Sequence, residues 1–533
     1  MPKTFFITTA IDYTNSPPHV GHAYEKVLAD VIARYHRLKG EKVFFLTGVD
    51  QHGQKVQQSA AKAGVPPAEF VKGITQKFID LWKILDVQYN QWAETTSDRH
   101  KKVVQGILQR LFDEGQIYKD KQAGYYSVRQ EQFLTDKERG QDGEFGEEWG
   151  QVEFREEENY YFRLSQYKDW LLAYLNKRAD AVIPDFRQIE LRNAVERLSG
   201  DLCISRPKSR LDWGIELPFD KEFVTYVWFD ALTNYISFGG YDPSLSTISS
   251  QPSTFRDRWP ALQIIGKDIL VPAHGIYWVI MLHAIGFPDD QIPQLLVHGW
   301  WNLGGAKMSK SAGNIIDPFL LVEKYGAEAL RYYLMNVVTG KDADFREGFL
   351  VAEFNSDLAN ALGNLANRTL NMIHRFRNGT IKSIGLATLA ESEVRSHLQT
   401  WSDDELEAGR RLYRDEFAHF RPGNALRAPL ARTLACNALV EISAPWNLAK
   451  DKQQEKLLDA VLYHLAESLR IIAVWMSPVL PRAAHGIFDQ LNWKMELSGK
   501  EGRFRLDEAK WGGLPDGHAV GKPVPLFPRI EGT

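Results

Sequence analysis

The stretch Thr4 to Gly21, TFFITTAIDYTNSPPHVG, constrains the fold of this chain most strongly. Phe5-Phe6-Ile7-Thr8-Thr9 is apolar and β-rich and reads as a strand. The run breaks at Asn15-Ser16-Pro17-Pro18, and a long helix is expected from about Ala23 to Lys39. Val27, Leu28, Val31, Ile32 and Tyr35 share one face of it, and Gly40 ends it. Lys42 to Gly48 then reads as a buried parallel strand. Strand, helix and strand form a βαβ unit, the first half of a doubly wound sheet with its crevice at the strand C-termini. His19-Val20-Gly21-His22 lies at the strand-to-helix corner. Unpaired N–H groups and the positive helix end make such a corner a phosphate site. Gly21 lets a flat nucleotide approach the backbone, and His19 and His22 can donate to phosphate oxygens as charge builds. Elsewhere in a fold, the tetrapeptide would be a turn with two surface histidines; the βαβ setting is what distinguishes it. Asp50 ends the second strand and would face the crevice beside Tyr13, either as a loop residue or as the counter-charge for an ammonium.

Composition narrows the class. A chain of 533 residues accommodates roughly three or four domains. With 44% hydrophobic and 25% charged residues it is expected to be soluble and globular. A net charge of −4 argues against broad electrostatic nucleic-acid binding and leaves local basic patches open. Cys203 and Cys436 are the only cysteines, too few for a disulfide framework or a thiolate zinc site, and they suit a reducing cytoplasm. No charged-then-apolar leader precedes the first strand. Ile269 to Phe287 is the most apolar stretch, but Pro272, His274, Gly275 and His283 point to a buried helix and not a membrane span.

Four regions follow in order. Residues 1–115 form the first half of the sheet domain, with residues 55–115 helical and Ser97-Asp98-Arg99-His100 capping one helix. Residues 116–210 change texture and read as an insertion, with a strand at Tyr125-Tyr126-Ser127-Val128, a Gly- and Glu-rich loop from Arg139 to Gly150, and a solvated acidic run at Glu156-Glu157-Glu158. Residues 211–349 resume the parallel sheet through Phe223 to Trp228, Leu262 to Ile265 and Leu295 to Gly299. Lys307-Met308-Ser309-Lys310-Ser311, bracketed by Gly304-Gly305 and Gly313, reads either as a solvated turn or as a loop that closes over a triphosphate. Residues 350–533 carry helical stripes, one through Leu358, Leu362, Leu365, Leu370 and Ile373 and another from Leu457 to Trp475, and end in a Gly- and Pro-rich strap from Gly512. The expected fold class is therefore α/β: a Rossmann-type parallel sheet split by an insertion domain and followed by an all-α bundle.

HVGH after the first strand and KMSKS late in the sheet domain together resemble the class I aminoacyl-tRNA synthetases. TGVDQHGQK (Thr47 to Lys55), VWFDALTNY (Val227 to Tyr235), GKDILVPAHGIYW (Gly266 to Trp278) and LVHGWWNLGGAKMSKSAGN (Leu296 to Asn314) are similar to the methionyl branch of that family. So are NSDLANALGNLANR (Asn355 to Arg368) and Ala444-Pro445-Trp446 in the helical region. The resemblance implies activation of L-methionine with Mg2+ and ATP to methionyl-adenylate, followed by transfer to the 3′ end of tRNA(Met). It implies His19, His22, Lys307 and Lys310 as catalytic residues, with Gly21 and Ser309 added for ATP. It places Asp50 on the methionine ammonium, Tyr13 and Trp228 around the thioether, and Ala10, Ile11, Ala231, Tyr235, Ile269 and His274 along the wall. A polarizable thioether packs well on aromatic faces. Asn364, Arg368 and Trp446 match anticodon-reading positions; Asn364 and Arg368 are four apart and share a helix face. Without the resemblance, the aromatics would read as core and Arg368 as a solvated charge.

Three departures from the family pattern stand out. Ser127, Gln130, Gly146 and Trp149 occupy the places of zinc-knuckle cysteines, so no zinc is expected. Gln51 replaces a common glutamate, and the segment from Asp268 to His274 is one residue longer than usual. A C-terminal extension that often supports dimerisation has no counterpart, so a monomer is expected. The rival readings are a small adenylyltransferase, which shares the HxGH corner but is far shorter, and a tRNA-binding paralogue without activity.

Overall fold

The computed structural model describes residues 3–531 except 128–131, 135–138, 141, 246, 309–314 and 403. Strand β1 (Phe5–Thr9), helix α1 (Val20–Leu38) and strand β2 (Val43–Asp50) form the opening βαβ unit. Phe5 to Thr8 pair in parallel register with Val43 to Leu46. After a break at Ala10–Ile11, Asp12–Tyr13 resumes the pairing along β2, opposite Val49 and Asp50. Helix α1 begins at Val20, three residues before the expected start, because two histidines act as its cap. His19 Nδ1 accepts from Gly21 N at 3.1 Å and His22 Nδ1 accepts from His19 N at 3.0 Å, a reciprocal capping box normally built from Ser or Thr with Glu.

Helix α2 (Pro67–Ile84), strand β3 (Gln91–Glu94) and helix α3 (Asp98–Asp113) follow. The helical expectation for 55–115 misses β3, whose four residues are too few for a period to show; it pairs with Leu46 to Val49 of β2. Ser97 precedes α3, but its side chain makes no cap bond.

The insertion is an antiparallel sheet built on β4 (Ile117–Ser127) and β5 (Val152–Phe162), paired from Ile117↔Phe162 to Ser127↔Val152. Alternation places Tyr126 in its core, while Tyr125 and Phe154, register partners, stand on the exposed face. Glu156 and Glu158 are exposed, whereas Glu157 turns inward to Arg210 at 2.5 Å. Strand β6 (Val182–Ile183), inside the span read as insertion, instead extends the main sheet. The insertion sheet thus covers less than residues 116–210.

Phe223–Thr225 is also a correction. It pairs antiparallel with Ser205–Pro207 outside the main sheet, and helix α4 (Val227–Ser237) starts directly after it. Phe223, Val224 and the β-branched Thr225 resemble a parallel strand in composition, but their partners come from the insertion side. The main sheet continues with β7 (Leu262–Gly266) and β8 (Gln294–His298). Its order is β3-β2-β1-β7-β8-β6, all parallel. Connections run outward in opposite directions from β1 and β7, so the switch point lies between their C-terminal ends.

Helix α5 (Ala327–Met335) leads to the helical region, which contains α6 (Asn364–Arg377), α7 (Arg427–Ser443), α8 (Glu455–Met476) and α9 (Pro481–Gln490). One continuous core joins α1, α5 and the bundle, and α1 is buried nearly all round for that reason. Each fully buried Val or Leu contributes ~1.5–3 kcal/mol. The strap returns across the bundle, with Asn355 bonded to both Ile530 O (2.8 Å) and Ile530 N (3.0 Å). No helix among the described residues is long and apolar enough to cross a membrane; the apolar stretch after Ile269 is a buried helix.

Candidate active site

Two cavities meet at the switch point. One, of about 310 Å³, is lined by His19, Gly21, His22, Glu25, Gly266, His298, Trp300 and Met308, among others. The second, of about 470 Å³, is lined by Asp50, Lys55, Tyr226, Trp228, Ala231, Leu232, Asn234, Tyr235 and His274. Ala10, Ile11, Tyr13, Asp268 and Ile269 line both. The nine residues expected around methionine all line the second cavity. Where strand pairing stops after β1, Ala10 and Ile11 form part of the shared wall.

At the corner of α1, both Nδ1 atoms accept backbone N–H bonds, so each neutral imidazole carries its proton on Nε2. The rings lie 3.9 Å apart. A Cβ on residue 21 would meet His19 Cε1 at 2.9 Å, so glycine is needed for the His19 ring as well as for any nucleotide. Beneath this cavity runs a buried charged network absent from the sequence reading. Lys26 Nζ contacts Asp12 Oδ1 (2.7 Å), Glu25 Oε1 (2.8 Å) and Ala10 O (2.8 Å). Glu25 Oε2 lies 3.1 Å from His298 Nε2. Burial pushes the Asp12 carboxyl up to about 7 against the pull of Lys26. Glu25 is held below the usual range, because Lys26 and His298 outweigh its burial. The adjacency Glu25-Lys26 on a helix gave no sequence signal, since it reads as surface charge.

In the second cavity Asp50 is buried, and burial with the nearby Asp230 raises its carboxyl well above the usual range. Burial would raise Asp230 too, but bonds from His52 Nδ1 (2.7 Å) and His100 Nε2 (2.8 Å) hold it down at about 2. His274 stands in an irregular helical segment. Leu270–Trp278 forms wide π-type turns with an extended kink at Val271, and the His274 imidazole lines the cavity. Its Nδ1 donates to Ile269 O at 3.0 Å, so Nε2 accepts from Tyr235 Oη at 2.7 Å. Burial depresses the imidazole to about 4, and it is neutral at neutral pH.

Ala306–Lys307 pairs with Trp301–Leu303 as a hairpin turning at Gly304 and Gly305, both at positive φ. Met308 is buried against the core. Ser309 and Lys310 lie outside the described residues. In the bundle, Asn364 and Arg368 share a face of α6, and Arg368 Nη2 bonds Glu441 Oε1 at 2.8 Å, near the end of α7. Trp446, five residues further on, is exposed, as are Leu434 and Ile442. In the insertion, Ser127 Oγ donates to Trp149 O at 2.5 Å, joining two of the knuckle positions; Gln130 lies outside the described residues.

The family model "tRNA synthetases class I (M)" matches residues 5–144 and 148–370. The methionine–tRNA ligase of Deinococcus radiodurans is 41% identical over 99% of this chain and 75% of its own length. That of Caldanaerobacter subterraneus subsp. tengcongensis is 39% identical over 100% of this chain and 80% of its own. Among solved structures, the methionyl-tRNA synthetase of Mycobacterium tuberculosis in complex with methionyl-adenylate superposes with a TM-score of 0.87 at 34% identity, covering 99% of this chain and 100% of that one. Its free state gives 0.83 at 32% identity. With the family model matching well over half of the chain and relatives near 40% identical along 99% of it, the chain belongs to the methionyl-tRNA synthetases of class I.

Proposed function

We propose that the two joined cavities are one reaction chamber, ATP beside His19 and His22 and methionine beside Asp50. The chain is a methionine–tRNA ligase that activates methionine with ATP and charges tRNA(Met). The observation that carries the chamber is the shared wall of Ala10, Ile11, Tyr13, Asp268 and Ile269, which leaves the methionine carboxylate and the α-phosphate within one space. A carboxylate oxygen attacks the α-phosphorus, the bond to the bridging oxygen breaks, and pyrophosphate leaves. The terminal ribose hydroxyl of tRNA then attacks the adenylate carbonyl and AMP departs. Mg2+ arrives on the triphosphate as part of the substrate.

The protein's share is positioning and charge. His19 and His22 present Nε2–H to the phosphates beside the positive end of α1. Gly21 keeps that approach open, and Lys307, Ser309 and Lys310 close over the leaving pyrophosphate. Asp50 takes the ammonium. Tyr13 and Trp228 enclose the thioether, with Ala231, Tyr235 and His274 behind. The neutral His274 and its bonded Tyr235 keep charge out of the wall, as a thioether requires. Homocysteine, one methyl shorter, is harder to reject, since a missing methylene-sized group is worth only ~1–3 kcal/mol. Asn364, Arg368 and Trp446 read the anticodon. The enzyme acts in the cytoplasm and without structural zinc.

Pyrophosphate exchange with ATP, assayed with each amino acid in turn, tests the chamber; dependence on methionine is expected. Exchange driven by another amino acid would overturn the assignment of the second cavity. Binding of tRNA with no charging would favour the inactive paralogue.

A further inference from the structure

The Asp50 carboxylate is itself weakly held. Its Oδ1 has only long contacts, 3.4 Å from His52 N and 3.4 Å from Thr95 Oγ1. What is fixed is the backbone on either side. Asp50 O accepts from Thr14 N and from Thr14 Oγ1, each at 2.9 Å. The ladder to β3 stops at Val49, so the next residue must find its partners elsewhere.

Gln51 finds four. Its N–H donates to Thr95 Oγ1 (2.9 Å), and its C=O accepts from Trp213 Nε1 (2.5 Å). Its side-chain Nε2 donates to Thr75 Oγ1 on α2 (3.0 Å), and Oε1 accepts from Thr96 Oγ1 (2.5 Å). The residue is 3% exposed and lines neither cavity of the chamber. Thr95 couples the two neighbours directly, accepting from the Gln51 backbone while donating to the Asp50 carboxylate.

We propose that Gln51 is a positioning residue for methionine: its amide, held at both ends by Thr75 and Thr96, sets the Asp50–Gln51 peptide and so aims the Asp50 carboxylate into the cavity. The inference rests on the reading of Asp50 as the ammonium partner. It accounts for a side chain of this length with two polar end atoms at this place. Both amide atoms are matched by hydroxyls, and those hydroxyls can also rotate to donate to a carboxylate of the same shape. Leucine fills the volume and matches neither hydroxyl.

The test is steady-state pyrophosphate exchange on full-length Gln51→Leu, Gln51→Glu, Trp213→Phe and Asp50→Asn proteins. Gln51→Leu should raise the KM for methionine roughly tenfold, because two buried hydrogen bonds are lost at the aiming residue. The KM for ATP should stay within about twofold. Gln51→Glu should restore the methionine KM to near that of the parent. Trp213→Phe keeps the aromatic body, releases the Gln51 carbonyl, and should raise the methionine KM selectively. An unchanged methionine KM in both Gln51→Leu and Trp213→Phe overturns the proposal, as does equal loss for methionine and ATP. If Gln51→Leu fails to fold, Trp213→Phe decides by the same split. If Asp50→Asn keeps its methionine affinity, the reading of Asp50 has failed; if it loses affinity while the Gln51 variants do not, only the role of Gln51 has.

Discussion

Asp50 carries the clearest consequence at the scale of one residue. Burial first and Asp230 second raise its carboxyl well above the usual range in the free enzyme. An arriving ammonium favours the ionised form and lowers it again. The group therefore binds fewer protons in the complex than in the free enzyme, so methionine binding releases a proton and tightens as pH rises. The gain should level off above the free-enzyme value of Asp50. We expect 1/KM for methionine to climb with pH across that window in pyrophosphate exchange. In Asp50→Asn the climb should vanish and affinity should fall by ~1.5–3 kcal/mol, roughly tenfold to a hundredfold. A flat profile in the parent enzyme would contradict this account.

Two elements decide where reactive groups sit. Helix α1 begins at the histidine pair, so its N-terminal N–H groups and both imidazoles face one cavity. The π-type turns of Leu270–Trp278 carry His274, whose imidazole bonds Tyr235. The hairpin of Trp301–Leu303 and Ala306–Lys307 leads into Ser309 and Lys310. In the proposed reaction Lys310 acts on charge that develops as pyrophosphate leaves, not on the amino acid. Lys310→Ala should lower the exchange turnover by roughly 10²–10³-fold, the scale of losing one group that stabilises a transition state. Methionine affinity, read by equilibrium binding, should stay near normal. A weaker methionine complex with unchanged turnover would place the lysine elsewhere.

Across the whole molecule, the catalytic sheet and the bundle are joined by a buried guanidinium. Arg331 donates to Leu85 O (2.9 Å), Pro478 O (2.9 Å) and Val479 O (2.8 Å), and it pairs with Asp30 of α1 at 2.8 Å. Glu328 on the same helix accepts from Arg482 N (2.7 Å) and Ala483 N (2.9 Å) at the start of α9. The anticodon candidates stand apart from this seam, and Trp446 is 40% exposed. Trp446→Ala should therefore impair charging by ~1–3 kcal/mol, the worth of one stacked base, and leave exchange intact. Equal damage to both assays would make Trp446 a packing residue. The insertion should hold without zinc. Tyr126 is buried between the guanidinium groups of Arg155 (4.7 Å) and Arg210 (4.3 Å), and Tyr160, Tyr161 and Phe162 are buried on β5. Dialysis against a zinc chelator with Mg2+ restored should leave charging unchanged. Activity that returned only on adding zinc would show a ligand set outside these residues.

The sequence alone determined the βαβ opening, the two motifs and the bundle. Each rests on local pattern: apolar period, Gly and Pro punctuation, or a contiguous motif. Tertiary structure decided what depends on partners far along the chain. Phe223–Thr225 pairs with Ser205–Pro207 and not with the parallel sheet, and Val182–Ile183 joins that sheet from inside the insertion span. Strand parity puts Tyr125 and Phe154 on the exposed face and buries Tyr126. Lys26, Asp12, Glu25 and His298 form one network only because α1 crosses the strand ends. Gln51 meets Thr75, Thr95, Thr96 and Trp213 across up to 162 residues of chain. Burial of charge and closure of hydrogen bonds over such separations follow from packing, and no periodicity in the chain encodes them.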